Sequence, residues 1–313
     1  MIAPLISKAI ETSQFFLVAV TVPFYIFVLI LMIDGQIKRI NELNTPFFKL
    51  CISSGVIDLS TLFANYFGAM FPKFGLFTYF YMYLDGIYAH IYFCIAWSTG
   101  ICQAMSVSVL ATNRLSAMIL PGSYHKMWLS HGLWIAIALQ FIPGMLIGCL
   151  TFFNTTELVV NENNGIVPTF LKFVKQFCCL YQLTFSVTLT NIFFGIGGFF
   201  LLANCLYLTI AYCYLYISLR KRNKAASKNN FGSVYWSKAK AKSRKRERKL
   251  FIMSSITVAV QFLILLFFII RTLQVIELSF DEFYLLYNAL RASADCLWHE
   301  LRFWWLLAII NFK

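Results

Sequence analysis

Seven long apolar segments, separated by polar loops, constrain this chain more than any other feature of its sequence. Each holds about 20 residues or more, the length that an α-helix needs to cross about 30 Å of hydrocarbon. Because backbone groups in hydrocarbon must pair within their own segment, a helix is the expected spanning form. The segments are about Phe15–Ile33, Phe47–Met70, Ile91–Thr112, Leu129–Phe153, Thr188–Ile217, Phe251–Ile276 and Phe283–Ile310. We therefore predict an all-α membrane protein, a single bundle of seven transmembrane helices over residues 1–313.

The charges of the loops predict how this bundle is oriented. When Asp and Glu are subtracted from Lys and Arg, the first, third and fifth loops carry +1, +2 and +12. The second, fourth and sixth loops carry 0, 0 and −3. Short basic loops stay in the cytoplasm, and an odd number of spans places the two ends on opposite sides. We expect the N-terminus outside and the C-terminus in the cytoplasm.

Nearly all of the net charge of +13 lies in one loop, residues 219–249. This loop holds thirteen basic residues and a single acidic one, Glu247. On a soluble chain such a run would suggest nucleic-acid binding or nuclear import. Between two spans it acts as a topology determinant that lies against anionic lipid, and nucleic acid is not an expected partner. A docking surface for an acidic cytoplasmic partner is the second interpretation, and the two are compatible.

Ionisable residues inside a span cost about 2.5–3.5 kcal/mol each on insertion scales, so each calls for an explanation. Asp58 lies near the middle of the second predicted helix. The seventh carries a polar stripe at spacings of three and four, which places it on one helix face: Tyr284, Asn288, Arg291, Asp295, His299 and Arg302. We hypothesise that Asp58, Arg291, Asp295 and His299 form an internal polar network. A charge-compensated packing contact with no role in signalling is the alternative.

Residues near the outer helix ends are open to two interpretations. Tyrosines there are typical of the interface belt, and an arginine such as Arg271 typically extends to the interface. The same side chains can instead line a cavity that opens to the outside. The candidates for lining a ligand pocket are Tyr92, Arg271, Tyr284 and Asn288.

Two covalent modifications are possible on the predicted outer side. Cys94 lies near the outer end of the third helix, and Cys178 and Cys179 lie in the fourth loop. An oxidising exterior permits a disulfide from Cys94 to one of that pair, with free thiols as the alternative. Asn154 begins an Asn-Thr-Thr sequon in the same loop and is a candidate for glycosylation.

The sequence offers little support for catalysis. Its four histidines form no His-x-x-x-His pair, and no Cys/His group has metal-ligand spacing. It has no Gly-rich phosphate loop and no Gly-x-Ser-x-Gly. We expect a protein that is not an enzyme and needs no metal or cofactor. A transporter is a weaker alternative because transporters more often show internal repeats, and a ligand-gated channel subunit with seven helices also stays open.

The most specific motif lies in and after the third helix: Val109-Leu-Ala-Thr-Asn-Arg-Leu-Ser-Ala-Met-Ile-Leu-Pro-Gly-Ser-Tyr-His-Lys-Met-Trp128. Its Asn-Arg, later proline and Tyr-x-x-x-Trp resemble the nematode serpentine chemoreceptors of the class gamma superfamily, which are divergent G-protein-coupled receptors. Gly55-Val-Ile-Asp-Leu59, Phe71-Pro-Lys-Phe-Gly75 and Ala294-Asp295 are similar to segments of the same family. The class within the superfamily, gamma or class V for instance, stays open.

This resemblance implies a chemoreceptor that binds an external small molecule and signals through a heterotrimeric G protein, in the plasma or ciliary membrane of a sensory neuron. It implies that Arg114 is presented to the G protein. Rhodopsin-like receptors carry an acidic residue immediately before this arginine, whereas this chain carries Asn113. The expected coupling surface comprises Asn113, Arg114, Lys126, Arg244, Lys245 and Arg246.

Overall fold

The computed structural model describes residues 4–40, 44–129, 131–153, 156–160, 165–170 and 180–228, and nine positions between 255 and 269. Most of this part of the chain is helical. The helices are α1 (Pro4–Ile37), α2 (Pro46–Asn65), α3 (Phe71–Lys73), α4 (Thr78–Ile119), α5 (Tyr124–Trp128), α6 (His131–Cys149) and α7 (Leu180–Lys228). A π-helical turn, Tyr66–Met70, joins α2 to α3, and a 3₁₀ turn, Leu150–Phe153, follows α6. Strands β1 (Thr156–Val160) and β2 (Ile166–Phe170) pair antiparallel, with Val159 opposite Val167.

Five helical stretches in the described part are long and apolar enough to cross a membrane. They are Phe15–Ile37, Pro46–Lys73, Gly86–Ile119, His131–Phe153 and Gly195–Ser218. Each overlaps one of the first five apolar segments predicted from the sequence, so these segments are confirmed as helices. The two remaining predicted spans lie largely outside the described residues.

Helix α4 lies at the centre of the described bundle, where α2, α6 and α7 all pack against it. Its close approach to α6 depends on Gly144 and Gly148, which share one helix face because they are four residues apart. A Cβ atom at Gly144 would lie 2.3 Å from Cys102 Sγ, and one at Gly148 would lie 1.8 Å from Ser98 Oγ. Small residues at such spacing let transmembrane helices pack closely where hydrophobic burial cannot drive association.

The β-hairpin covers the N-terminal end of α4. Ile166 at the start of β2 is fully buried and packs with Tyr81, Tyr88 and Tyr92 of α4. Gly165 permits this insertion, since a Cβ atom there would lie only 2.0 Å from the carbonyl oxygen of Lys73. The hairpin therefore fixes α4 against the end of α3.

Tyrosine hydroxyls of α4 also stabilise the π-helical turn. Such a turn interrupts the regular hydrogen-bond ladder of a helix. Tyr88 donates a hydrogen bond to the carbonyl of Gly68, and Tyr81 donates one to the carbonyl of Phe67 over 2.6 Å. The irregular backbone at the end of α2 is thus bonded to its neighbouring helix.

Candidate functional site

The helix α5 folds back onto the last turns of α4 and is held there by two side-chain hydrogen bonds. The hydroxyl of Tyr124 donates to Asn113 Oδ1 over 3.2 Å, and the indole Nε1 of Trp128 donates to Ser116 Oγ over 2.7 Å. Asn113 is 1 % exposed and Trp128 is 6 % exposed. The Asn-Arg and Tyr-x-x-x-Trp halves of the sequence motif are therefore in direct contact.

Local sequence explains why the chain reverses here. Pro121 cannot continue a helix because its ring removes the backbone N–H, and α4 ends at Ile119. The backbone N–H groups of Ser123 and Tyr124 donate to the carbonyl of Leu120, over 3.1 and 2.8 Å. This tight turn starts α5 beside the end of α4.

Arg114 is half-buried at the junction of α2 and α4. Its guanidinium carbon lies 4.6 Å from the centre of the Phe47 ring, in the first turn of α2. A cation over an aromatic face at this distance is attracted by about 0.5–1 kcal/mol at an exposed site and by about 2 kcal/mol where it is desolvated. The contact with Phe47 is one of the interactions that hold the Arg114 side chain against the bundle.

The docked α5 leaves a short polar face exposed. His125, Lys126 and Met127 are exposed while Tyr124 and Trp128 point towards α4. Lys126 thus lies on the same end of the bundle as Arg114. The other predicted coupling residues, Arg244, Lys245 and Arg246, lie outside the described residues. Helix α7 extends past its apolar span and carries exposed Arg220 and Lys221.

Asp58 is 5 % exposed and joins three helices in the interior. The hydroxyl of Tyr25 on α1 donates to Asp58 Oδ2 over 3.0 Å, and Nε2 of Gln103 on α4 donates to Asp58 Oδ1 over 3.0 Å. Gly55 gives Tyr25 access, because a Cβ atom there would lie 3.1 Å from the Tyr25 hydroxyl and 2.4 Å from Leu29. Sequence reasoning missed Tyr25 and Gln103, although an amide in mid-span was a signal for Gln103. Arg291, Asp295 and His299, predicted to join Asp58, lie outside the described residues.

The remaining predicted positions are those expected on the outer side of the membrane. Tyr92 is 3 % exposed and packs against Gly68 of the π-helical turn. Cys94 is half-buried, with Ser98, Cys149 and Thr151 within hydrogen-bonding reach of its thiol. The other candidates of this group lie outside the described residues: Arg271, Tyr284, Asn288, Cys178, Cys179 and Asn154. The ligand pocket, the disulfide and the glycan therefore stay predictions.

Uncharged polar pairs join further helices in the interior. Ser53 on α2 donates to Oε1 of Gln140 on α6 over 2.6 Å. Ser108 on α4 donates to Oδ1 of Asn204 on α7 over 2.5 Å. These pairs were not predicted, because isolated serines and amides in a span carry no charge whose burial calls for an explanation.

The chain matches a known receptor family over most of its length. The family model described as serpentine type 7TM GPCR chemoreceptor Srv matches residues 14–293 of the chain. No curated protein sequence matches significantly. The family match confirms the predicted resemblance to serpentine chemoreceptors, and it selects Srv where the class had been left open. The chain therefore belongs to the Srv family of serpentine seven-transmembrane G-protein-coupled chemoreceptors.

Proposed function

We propose that this protein is a chemosensory receptor with seven membrane-spanning helices, its N-terminus outside and its C-terminus in the cytoplasm. It binds a small molecule from outside and activates a heterotrimeric G protein inside, in the plasma or ciliary membrane of a sensory cell. Membership of the Srv family supports the receptor class. The observation that carries the coupling function is the docking of α5 onto Asn113 and Ser116 beside Arg114.

The charge of this surface supports an acidic protein partner. Arg114 and Lys126 lie at the end of α4 and on α5, and α7 adds Arg220 and Lys221. A positive surface accelerates encounter with a partner of opposite charge and orients it during docking. Since the residue before Arg114 is the neutral Asn113, it cannot hold the arginine as an ion pair.

The outer half of the bundle would receive the ligand. Tyr92, Arg271, Tyr284 and Asn288 remain our candidates for lining its pocket. A ligand that binds one packing of the helices more tightly shifts the population towards that packing. The shift reaches the other end of the bundle through α4, which runs from the outer aromatic cluster to Arg114.

Replacing Arg114 by Ala tests the proposal. The receptor is expressed in cells with a panel of G proteins, ligands are screened, and nucleotide exchange on the G protein is measured. We expect Arg114→Ala to lose ligand-evoked exchange while its amount at the cell surface is unchanged. Lys49→Ala is the matched control, since Lys49 is also basic, is exposed, and lies on the first turn of α2.

Three results would contradict the proposal. Full signalling by Arg114→Ala would remove the assigned role of this arginine. A ligand-evoked current that persists without G protein would indicate a channel, and saturable uptake of the ligand would indicate a transporter.

A further inference from the structure

Two cysteine side chains meet where α4 and α6 pack together. Cys94 on α4 is half-buried, and Cys149 is the last residue of α6 and is exposed. The thiol of Cys149 lies within hydrogen-bonding reach of the thiol of Cys94. Both are free thiols in the structure. Because a disulfide forms only between side chains that are already close and directed at one another, this pair is a candidate for a covalent link between the two helices.

The backbones of the two helices also come close at this point. Gly148 immediately precedes Cys149, and a Cβ atom at Gly148 would lie 2.6 Å from the carbonyl oxygen of Cys94 and 1.8 Å from Ser98 Oγ. A residue with a side chain could not approach α4 so closely. A disulfide needs Cα atoms that are about 4.4–6.8 Å apart, so the close approach next to Cys149 favours the bond.

Two contacts hold the end of α6 in this position. The hydroxyl of Thr151, in the 3₁₀ turn that follows α6, donates to the carbonyl of Gly148 over 2.6 Å. The ring of Phe152 stacks on that of His90 on α4, with the centroids 6.1 Å apart and the planes at 20°. Cys149 thus lies in a short segment that is fixed against α4, which keeps its thiol beside its partner.

The side of the membrane determines whether such a pair of thiols is oxidised. Cys149 lies four residues before Phe153, the end of its apolar span. In the proposed orientation this end faces the outside. Disulfides form and persist in the secretory pathway and outside the cell, whereas thiols that face the cytosol are kept reduced.

We propose that Cys94 and Cys149 form a disulfide that joins α4 to α6 on the outer side of the mature receptor. This inference rests on the proposed orientation of the chain. It replaces the bond from Cys94 to Cys178 or Cys179 that the sequence predicts, since one thiol of Cys94 serves one disulfide. The bond closes residues 94–149 into a covalent loop and stabilises the bundle by restricting the unfolded chain.

The reaction is an exchange with an external disulfide, either oxidised glutathione or the disulfide of an oxidoreductase in the secretory pathway. The thiolate of the exposed Cys149 attacks one sulfur atom of that disulfide, and the other sulfur leaves as a thiol. The thiolate of Cys94 then attacks the Cys149 sulfur of the mixed disulfide, and the second external thiol leaves. Two electrons and two protons pass from the receptor to the external disulfide.

Trypsin places the possible disulfides in different pairs of peptides. Full-length receptor is collected from the surface of cells, its free thiols are blocked with N-ethylmaleimide, and its N-linked glycans are removed. Cleavage after Lys and Arg then places Cys94, Cys149 and the pair of Cys178 and Cys179 in three peptides, residues 74–114, 127–172 and 176–220. Mass spectrometry without reduction should find the first of these peptides linked to the second.

Serine variants assign the bond within the first peptide, which also contains Cys102. Cys94→Ser and Cys149→Ser should each abolish the linked pair of peptides. Cys102→Ser is the matched control, because Cys102 lies on the same helix and its thiol bonds the carbonyl of Phe141 over 3.4 Å. This variant should retain the linked pair in full.

Thermal unfolding in nanodiscs provides a second measurement. Dithiothreitol should lower the melting temperature of the wild type and of Cys102→Ser, because reduction removes the restriction on the unfolded chain. It should leave the melting temperature of Cys149→Ser unchanged. A fall of the same size in Cys149→Ser would place the reducible bond elsewhere and overturn the inference.

Two peptide results would also overturn it. One is alkylation of both Cys94 and Cys149 without prior reduction, and the other is a link from residues 74–114 to residues 176–220. An epitope tag at the N-terminus, detected by antibody on intact cells, identifies the cause. If free thiols accompany a tag that is detected only after permeabilisation, the orientation in the proposed function is wrong. If they accompany a tag that is detected outside, the pairing alone fails.

Discussion

The hydroxyl of Tyr124 lies 3.2 Å from Asn113 Oδ1. Asn113, which precedes Arg114 in the chain, therefore binds helix α5 to the end of α4. This bond orients Asn113, and the backbone carbonyl of Asn113 also accepts from the hydroxyl of Ser116 over 2.8 Å. Ser116 in turn accepts from Trp128. This chain of bonds links α5 to the turn of α4 that carries Arg114.

Tyr124→Phe should loosen α5 from α4. The substitution keeps the ring but leaves Asn113 Oδ1 without this donor, at a cost of about 1 kcal/mol. Hydrogen–deuterium exchange should become faster in residues 120–129, and G-protein activation should fall with it. Tyr79→Phe is the control, because Tyr79 is 88 % exposed. Unchanged exchange in the loop would show that packing of Trp128 alone holds α5.

The hydrogen bond of Tyr124 to Asn113 should be insensitive to pH across the physiological range. Burial against α4 raises the pKa of Tyr124 above its ordinary value of 10.0. The folded state therefore favours the neutral phenol, and its contribution to stability is complete below pH 10 and is lost as pH rises through the raised pKa. The phenolate absorbance of the wild type minus that of Tyr124→Phe should titrate above pH 10. A midpoint at or below that value would indicate that Tyr124 is solvated.

Hydropathy predicted the five long apolar helices of the described residues but not where those helices end. The third predicted segment begins at Ile91, yet α4 begins at Thr78, because helical hydrogen bonding continues into the interfacial region, where side chains are more polar. The partners of the predicted residues could not be read from the sequence either. Eleven residues separate Asn113 from Tyr124, and no helical period relates them, since the contact depends on the turn at Pro121.

Side chains with a charge were easier to predict than the neutral groups that bond them. Asp58 stood out because an acid in mid-membrane is costly. Its donors Tyr25 and Gln103 come from two other helices, and only the packing of those helices on α2 brings them together. The face that each helix turns inward, and with it the partners of Asp58, required the structure.

Loss of the Asp58 carboxylate should destabilise the receptor more than loss of either described donor. Asp58→Leu leaves Tyr25 and Gln103 without this acceptor, and each unsatisfied buried group costs about 1–3 kcal/mol. Tyr25→Phe alone should cost about 1 kcal/mol. Once Asp58 is Leu, adding Tyr25→Phe should cost little further, because contacting residues are not additive. Thermal unfolding of the four proteins in nanodiscs measures this cycle, and additive losses would mean that the hydrogen bond contributes nothing.

Gly148→Ala should separate α4 from α6, because the new methyl group would lie 1.8 Å from Ser98 Oγ and 2.6 Å from the carbonyl oxygen of Cys94. Overpacking of this kind costs about 1–3 kcal/mol. Gly195→Ala is the matched control, since a Cβ atom there meets nothing within 4 Å among the described residues. Adding Ser98→Ala should restore only part of the melting temperature, because the hydroxyl can be removed but the backbone carbonyl of Cys94 cannot. Full restoration would assign the whole conflict to the serine side chain, and equal melting temperatures for the two glycine variants would show that α4 and α6 do not need this close approach.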